Sequence, residues 1–237
     1  MKTALLLLAS ASLIILRLSA AELSTASKPN ELTAADKQAG WKLLFDGKSL
    51  TGWHSYRKKE PPQKGWAIED GWLRCVPNGH GGDLVSDDQF NDFELSWEWR
   101  LPPGANNGVK YFITEERNQA VGHEYQMIDD ATVSDPKAST ASFYEVLAPA
   151  ADKPLKPPGQ INHSRVLVQG KHVEHWLNGA KVLEYELGSE TVKAGVAKSK
   201  FKNIPGFGEK KKGHILLTEH HDEAFFRNVK IRELPAK

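Results

Sequence analysis

The segment Phe93-Glu-Leu-Ser-Trp-Glu-Trp-Arg100 constrains the fold more than any other stretch of the chain. Successive side chains of an extended strand point to opposite faces. Phe93, Leu95, Trp97 and Trp99 therefore share one face, and Glu94, Ser96, Glu98 and Arg100 share the other. An apolar face of that breadth has to be buried against a second layer. Trp97 and Trp99 are expected in the core, and the alternating acids beside Arg100 are expected to meet solvent. Pro102-Pro103-Gly104 stops the strand.

Beyond residue 40 the same rhythm repeats. Short runs rich in Val, Ile, Phe, Tyr and Trp are separated by Gly, Pro, Asn and Asp clusters at fairly regular spacing, the pattern of a sandwich or barrel. Trp66-Ala-Ile-Glu69 and Trp72-Leu-Arg-Cys75 form a predicted hairpin about Asp70-Gly71. Val109 to Ile113 is the next strand after Arg100. Val166 to Val168, Val173 to Leu177 and Val182 to Tyr185 make a meander whose last tight turn is Asn178-Gly179. Ile215 to Thr218 and Phe225 to Leu234 are terminal strands. Helix is confined to two short pieces: one capped by Thr33 with Asp36 as its capping-box partner, and one over Thr191 to Lys200. No internal repeat or second domain is visible. Residues 32–237 read as a single all-β domain, a sandwich or barrel, preceded by a flexible Ser-, Ala- and Lys-rich lead-in over 22–31.

Residues 1–21 have the pattern of a secretory signal: Lys2, an apolar run from Ala4 to Ile15 broken by Ser10, and small residues at Ser19-Ala20-Ala21. The run is too short for a comfortable membrane span, so the expected location is periplasmic or secreted. Without Lys2 and Arg17 the 31 basic residues become 29 against 30 acids. That near-neutral balance argues against nucleic acid or an anionic membrane as partner. The Lys-rich run 209–212 is expected to be a solvated loop. A single cysteine, Cys75, excludes an intramolecular disulfide, so stability rests on the core. Nothing in the chain bears on oligomeric state.

Gly122-His-Glu-Tyr-Gln-Met-Ile-Asp-Asp130 carries the chemistry. On a strand, Glu124, Gln126 and Ile128 share one face, and His123, Tyr125, Met127 and Asp129 the other. Glu124 and Gln126 would stand roughly 6–7 Å apart along the strand, a separation that brackets one sugar ring. Glucanases on curved sandwiches place acids at i, i+2 and i+4 of such a strand. Here the second and third positions are Gln126 and Ile128, so the carboxylate pair of ordinary glycoside hydrolysis is not on this strand. Asp129 and Asp130 are expected to anchor a turn. Trp41 and Trp53, flanking 45–50, suit either the core or a sugar-stacking platform.

An ordered set of segments resembles one family, the 3-keto-disaccharide hydrolase domain. The segments are 40–53 (GWKLLFDGKSLTGW), 66–71 (WAIEDG), Gly82-Asp83-Leu84, Phe93-Glu-Leu95 and Asn106-Asn-Gly-Val109. After these come 122–130, Trp176-Leu-Asn-Gly179, His220 and Phe226-Arg-Asn-Val-Lys-Ile231. The resemblance implies a concanavalin A-like jelly roll and action on glycosides already oxidised at C3. The chain departs from the family pattern at Asn107, where serine is usual, at Ile161 in place of tryptophan, and at Leu217-Thr218-Glu219-His220-His221. His221 replaces a small residue there, which would narrow the pocket or add a ligand.

The chemistry so implied follows from the ketone. A C3 carbonyl acidifies the C2 hydrogen, and loss of that proton makes the C1 oxygen a β-leaving group. Elimination followed by water addition gives net hydrolysis. The scheme needs a base, an enolate stabiliser and an acid. The resemblance makes Glu124 the candidate base and His220 the candidate acid, with the two roles exchangeable. Gln126 and Asn107 are candidate oxyanion or orienting donors, and Tyr144 a candidate for sugar hydroxyls. A divalent metal is the one cofactor the residues allow, if His123, Glu124, His220 and His221 converge as a mixed N/O site. His172 and His175 face opposite ways on a strand and do not make one. The other reading is a non-catalytic carbohydrate-binding module on the same sandwich, which would present exposed aromatic platforms.

Overall fold

The computed structural model describes residues 28–236. The expected signal segment over 1–21 and most of the expected lead-in over 22–31 lie outside the described residues. At the end of that lead-in Asn30 is buried. Its backbone and side chain exchange hydrogen bonds with Asn228, and its amide donates to Gly71 O, so the folded body takes hold before residue 32.

Thirteen strands and two helices are described, in the order α1 (Ala34–Gln38), β1 (Lys42–Leu43), β2 (Trp53–Ser55), β3 (Trp66–Glu69), β4 (Trp72–Cys75), β5 (Leu84–Phe90), β6 (Phe93–Arg100), β7 (Asn106–Ile113), β8 (His123–Ile128), β9 (Asn162–Gln169), β10 (His172–Leu177), β11 (Ala180–Glu186), α2 (Glu190–Lys198), β12 (Gly213–Leu217) and β13 (Ala224–Glu233). They make two antiparallel sheets. The larger runs β11-β10-β9-β6-β13-β4-β3, with β1 also on β13; the smaller runs β2-β5-β12-β7-β8. The chain crosses between sheets repeatedly, as a jelly roll does. Among the described residues no helix is long and apolar enough to cross a membrane.

Local chemistry explains the boundaries. Thr33 Oγ1 accepts from Asp36 N while the Asp36 carboxylate accepts from Thr33 N, a complete capping box. The β3–β4 and β10–β11 hairpins turn on Asp70-Gly71 and Asn178-Gly179. All four residues have positive φ, between 48° and 88°, as a two-residue turn of this hand requires. The strand expected at Val109 starts earlier, at Asn106, because Asn106 and Asn107 pair with Ile128 and Met127.

The core lies between the sheets. Trp97 and Trp99 are 1% and 2% exposed, packed with Phe93, Leu95, Tyr111, Tyr125, Phe143 and Phe226. Trp53 joins them, its indole donating to Leu44 O, so it is core and no sugar platform. Trp41, the other tryptophan open to that role, is half-buried beneath Lys230 and Arg232.

The other face of β6 departs from expectation. Glu94 and Glu98 do point away from the core, but the Glu94 side chain is only 3% exposed, gripped by Arg165 and Arg232 from the two neighbouring strands. A lone carboxylate on that face would be solvated. Two guanidiniums that fold down on it from β9 and β13 remove it from water and supply charged donors in exchange. Of the lysine run at 209–212, Lys210 is likewise paired, with Asp92.

Candidate active site

The strand expected to carry the chemistry, β8, is at the edge of the smaller sheet. Tyr125 and Met127 of β8 enter the core beside Val109 and Tyr111 of β7. The alternate side chains Glu124 and Gln126 emerge on the face turned away from the larger sheet. Across that face the register sets out a row: His54 (β2), Val85 (β5), Leu216 (β12), Lys110 (β7) and Glu124 (β8). Residues 141–144 extend the sheet beyond β8, with Tyr144 N donating to Glu124 O and Gln126 N to Ser142 O. Tyr144 therefore stands next to Glu124. A second row comprises Thr218, Gly108, Gln126 and Ser142.

Two groups of loops flank this face. At one end Tyr56, its hydroxyl 3.0 Å from the carbonyls of Thr114, Arg117 and Gln119, packs with Ala120 over Val85, Ile113 and Leu216. At the other end Asp83 accepts from Glu219 N at 2.8 Å, and Asp222 accepts from Asn106 N at 2.9 Å. These bonds tie the 218–222 segment to the strand ends and hold His220 there.

Glu124 has an environment unlike that of a solvated sheet residue. Its side chain is 12% exposed, and the Lys110 ammonium lies 4.0 Å from Oε2. A Cβ at position 108 would stand 2.2 Å from Glu124 Oε1, so glycine there is what admits the carboxylate. Burial pushes the Glu124 carboxyl above the usual carboxylate range; Lys110, Lys200 and His220 pull it back, and Asp83 adds to the rise. Asp83 is pushed up as well, by burial first, with Lys110 and the Glu219 amide opposing. The site thus pairs desolvated acids with cations, the arrangement that tunes acid–base groups.

The expected residues are only partly brought together. His220 is exposed, with Nε2 3.4 Å from Asn106 Nδ2, and its charge acts on Glu124. Tyr144 is half-buried; Lys200 sits 4.3 Å above its ring and 3.3 Å from its hydroxyl. Gln126 is buried beside Glu124, and its Oε1 takes up the Met127 amide. Asn107 belongs to the register row of Met127, whose side chain is core. Its Oδ1 accepts from Gly108 N and Thr218 Oγ1, while its buried Nδ2 has no partner. Asp129 caps the turn at 130–132 and accepts from Gly104 N, as expected of an anchor.

The convergence of four metal ligands does not form. His123 is inside the core, stacked 4.3 Å from the Phe143 ring, with its pKa pushed down to about 3 by burial. His221, at φ 63°, is turned against His80, ring centroids 5.2 Å apart, and towards Glu219. Among the described residues the one group of three side chains with metal-ligand spacing is His172, Glu174 and Glu184, on the larger sheet, where Lys181 already pairs with both acids.

Two charged residues of the site, Lys110 and Lys200, escape the motif reading, and a third, Asp83, lies in a family-like segment to which that reading gives no role. Lys110 shares a face with Gly108 by simple alternation, but it reads as an ordinary surface lysine until β7 is paired with β8. Asp83 stands at the mouth of β5 and is brought in by the backbone of Glu219. Lys200 arrives from the segment after α2, with no sequence proximity to any other site residue.

The model of the 3-keto-alpha-glucoside-1,2-lyase-like domain matches residues 40–232. A protein of Bacteroides thetaiotaomicron named 3-keto-disaccharide hydrolase is 31% identical over 231 residues, covering 82% of this chain and 79% of the relative. A crystal structure from Parabacteroides distasonis, provisionally named a glycosyl hydrolase, superposes with a TM-score of 0.79 at 32% identity over 88% of this chain and all of the other. A second from that organism, named in the same way, gives 0.66 at 28% identity over 82% and 99%. The chain belongs to the 3-keto-alpha-glucoside-1,2-lyase-like domain family.

Proposed function

We propose that the protein cleaves the glycosidic bond of 3-keto-glycosides by C2 proton abstraction, elimination and hydration, after export directed by residues 1–21. The observation that carries this reading is Glu124: a desolvated carboxylate with a raised pKa, seated over Gly108 and facing Lys110, on the outer face of the smaller sheet. A general base works best with a pKa near the working pH, and burial moves Glu124 in that direction. In the proposed reaction Glu124 takes the C2 proton. His220, exposed at the end of β12, gives a proton to the departing C1 oxygen. Tyr144 and Gln126 bind sugar hydroxyls. The names of the B. thetaiotaomicron relative and of the family model support the substrate class.

One observation favours conventional hydrolysis instead: Asp83 is a second acid of raised pKa in the same site, and direct displacement needs two carboxyl groups. The substrate decides between them. A 3-keto-disaccharide and its unoxidised parent are incubated with the protein, with and without chelator, alongside Glu124→Gln. The expected outcome is turnover of the keto sugar alone, reduced on the order of 10²–10⁴-fold in Glu124→Gln, as befits loss of a general base. Equal rates on both sugars support conventional hydrolysis. Sugar affinity without turnover supports the binding module. Full activity of Glu124→Gln removes the central assignment.

A further inference from the structure

We infer that Lys110 is the catalytic cation of this site, and that its ammonium transfers from the Glu124 carboxylate to the enolate oxygen as the C2 proton is removed. The inference rests on the proposed elimination and names a residue that neither the motifs nor the resemblance singles out.

Geometry carries it. Lys110 and Glu124 are register partners on adjacent strands, both on the outer face of the smaller sheet, with Nζ 4.0 Å from Oε2. In a 3-keto sugar the acidic hydrogen and the carbonyl oxygen sit on neighbouring carbons. A base at the one and a cation at the other must therefore stand side by side, as these two side chains do. Lys110 is four-fifths buried, with a side chain 20% exposed, so its field is little screened. Of the two amide donors considered for the oxyanion, Asn107 lies in the register row of Met127, which enters the core, and Gln126 is buried with its Oε1 on the Met127 amide.

The step balances without any added reagent. The C2–H bond breaks, and its proton goes to Glu124. The electron pair moves into the C2–C3 bond, and the C3 carbonyl pair moves onto oxygen. Glu124 becomes neutral as that oxygen becomes negative, so the charge facing Lys110 is moved rather than created. When the carbonyl re-forms, the pair expels the C1 oxygen, which takes a proton from His220, and a C1–C2 double bond remains. Because the ammonium meets the enolate oxygen only once proton transfer begins, the interaction stabilises the transition state more than the ground state.

The test compares the wild-type protein with Lys110→Met and Lys110→Arg on two 3-keto-glucosides, one with a nitrophenol and one with a sugar as leaving group. Lys110→Met should lose on the order of 10²–10³ in kcat, the usual loss on removing one oxyanion partner, with KM little changed. The loss should be equal for the two leaving groups, because enolate formation precedes departure. The groups facing Glu124 are Lys110, Lys200, His220 and Asp83. Removing the first takes away an attraction for the carboxylate, so the acid limb of the pH profile should move to higher pH in Lys110→Met. Lys110→Arg should restore its position and much of the rate. A solely structural lysine would not move that limb. Lys110→Gln is measured in the same way should the Met variant fail to fold.

Wild-type turnover with Lys110→Met within about threefold in kcat overturns the inference while leaving the proposed reaction standing. So does a loss confined to KM or to the sugar leaving group. Borohydride trapping of a substrate adduct on Lys110 also overturns it, since a covalent imine would replace the ammonium. Failure of the wild type on every 3-keto substrate overturns the reaction and this inference together.

Discussion

The most consequential side chain of the site is one that is missing. Gly108 does not have a left-handed backbone, so nothing in its own conformation demands glycine. What demands it is Glu124, whose Oε1 occupies the volume where a Cβ would stand. Gly108→Ala should therefore keep its backbone and its melting temperature, but displace the carboxylate. A misplacement of about 1 Å at a reacting group can cost on the order of 10²-fold in rate, and a loss between tenfold and that size in kcat is expected. Wild-type kcat in a folded Gly108→Ala would show that the observed Glu124 position is not the working one. Activity should also fall as pH drops through the raised Glu124 pKa, above the range of an ordinary carboxylate, because the base must be ionised. The sequence shows Glu124 and Gln126 on one face by alternation alone. It does not show Lys110 or Asp83 as their neighbours, since that knowledge lives in strand pairing across residues far apart in the chain.

At the scale of elements, β8 carries two chemistries on its two faces. Outward is Glu124. Inward are His123 and Tyr125, part of a buried polar chain. In that chain Trp99 donates to Ser164, Ser164 to Tyr125 and Tyr125 to Trp176 O, while Tyr111 links His175 to Tyr185. Burial lowers His123 to about 3 and His175 to about 4. Both folded values lie below the unfolded one near 6.5. The unfolded chain therefore gains protons that the folded chain refuses, and stability is lost as pH falls from about 6.5 toward the folded values. Each histidine contributes a slope of about 1.4 kcal/mol per pH unit in that window. Glu124 and Asp83, with raised pKa values, act in the opposite sense, so a difference between proteins isolates the effect. His123→Phe removes one titration and an imidazole Nε2 that has no partner. The urea-unfolding free energy of this variant relative to wild type should rise by about that slope for each unit below pH 6.5. A constant difference from pH 7.5 to 4.5 would show that His123 takes up its proton in the folded state as readily as in the unfolded chain. The hairpins, the capping box and the meander of β9 to β11 were legible because each is local: a turn pair, a cap spacing, an alternation. The opposition of His123 to Glu124 across the strand was legible too; that its face is the core, closed to a metal shared with Glu124, was not. What it stacks on, Phe143, was not, because residues 141–144 join the sheet edge from a loop that has no strand pattern.

Across the whole molecule the two sheets divide the work. The smaller sheet presents desolvated acids and cations that are not fully neutralised; the larger presents a closed ionic lattice on its outer face. At the middle of that lattice Glu94 joins β9, β6 and β13 through Arg165 and Arg232, and Arg227 clasps Glu98 alongside. The arginines are 26% and 32% exposed at their side chains, whereas Glu94 is 3% exposed. This asymmetry sets the sign of a double comparison. Replacing both arginines with methionine leaves a buried carboxylate unpaired, a loss on the order of 3–5 kcal/mol. Glu94→Leu removes the buried charge itself and leaves two guanidiniums that can turn to water, so it should cost distinctly less, although Arg165 also lies 4.0 Å over Trp176 and contributes packing. Neither change lies on the sheet that carries Glu124, so kcat of the folded protein should stay at the wild-type value in both. Urea midpoints and kcat measured on the same samples check this. If Glu94→Leu proves as damaging as the arginine pair, the lattice is held by attraction rather than by the cost of orphaning its central acid. If kcat falls with either change, the larger sheet's outer face is coupled to the chemistry of the smaller one through the shared core, and the division of labour between the sheets fails.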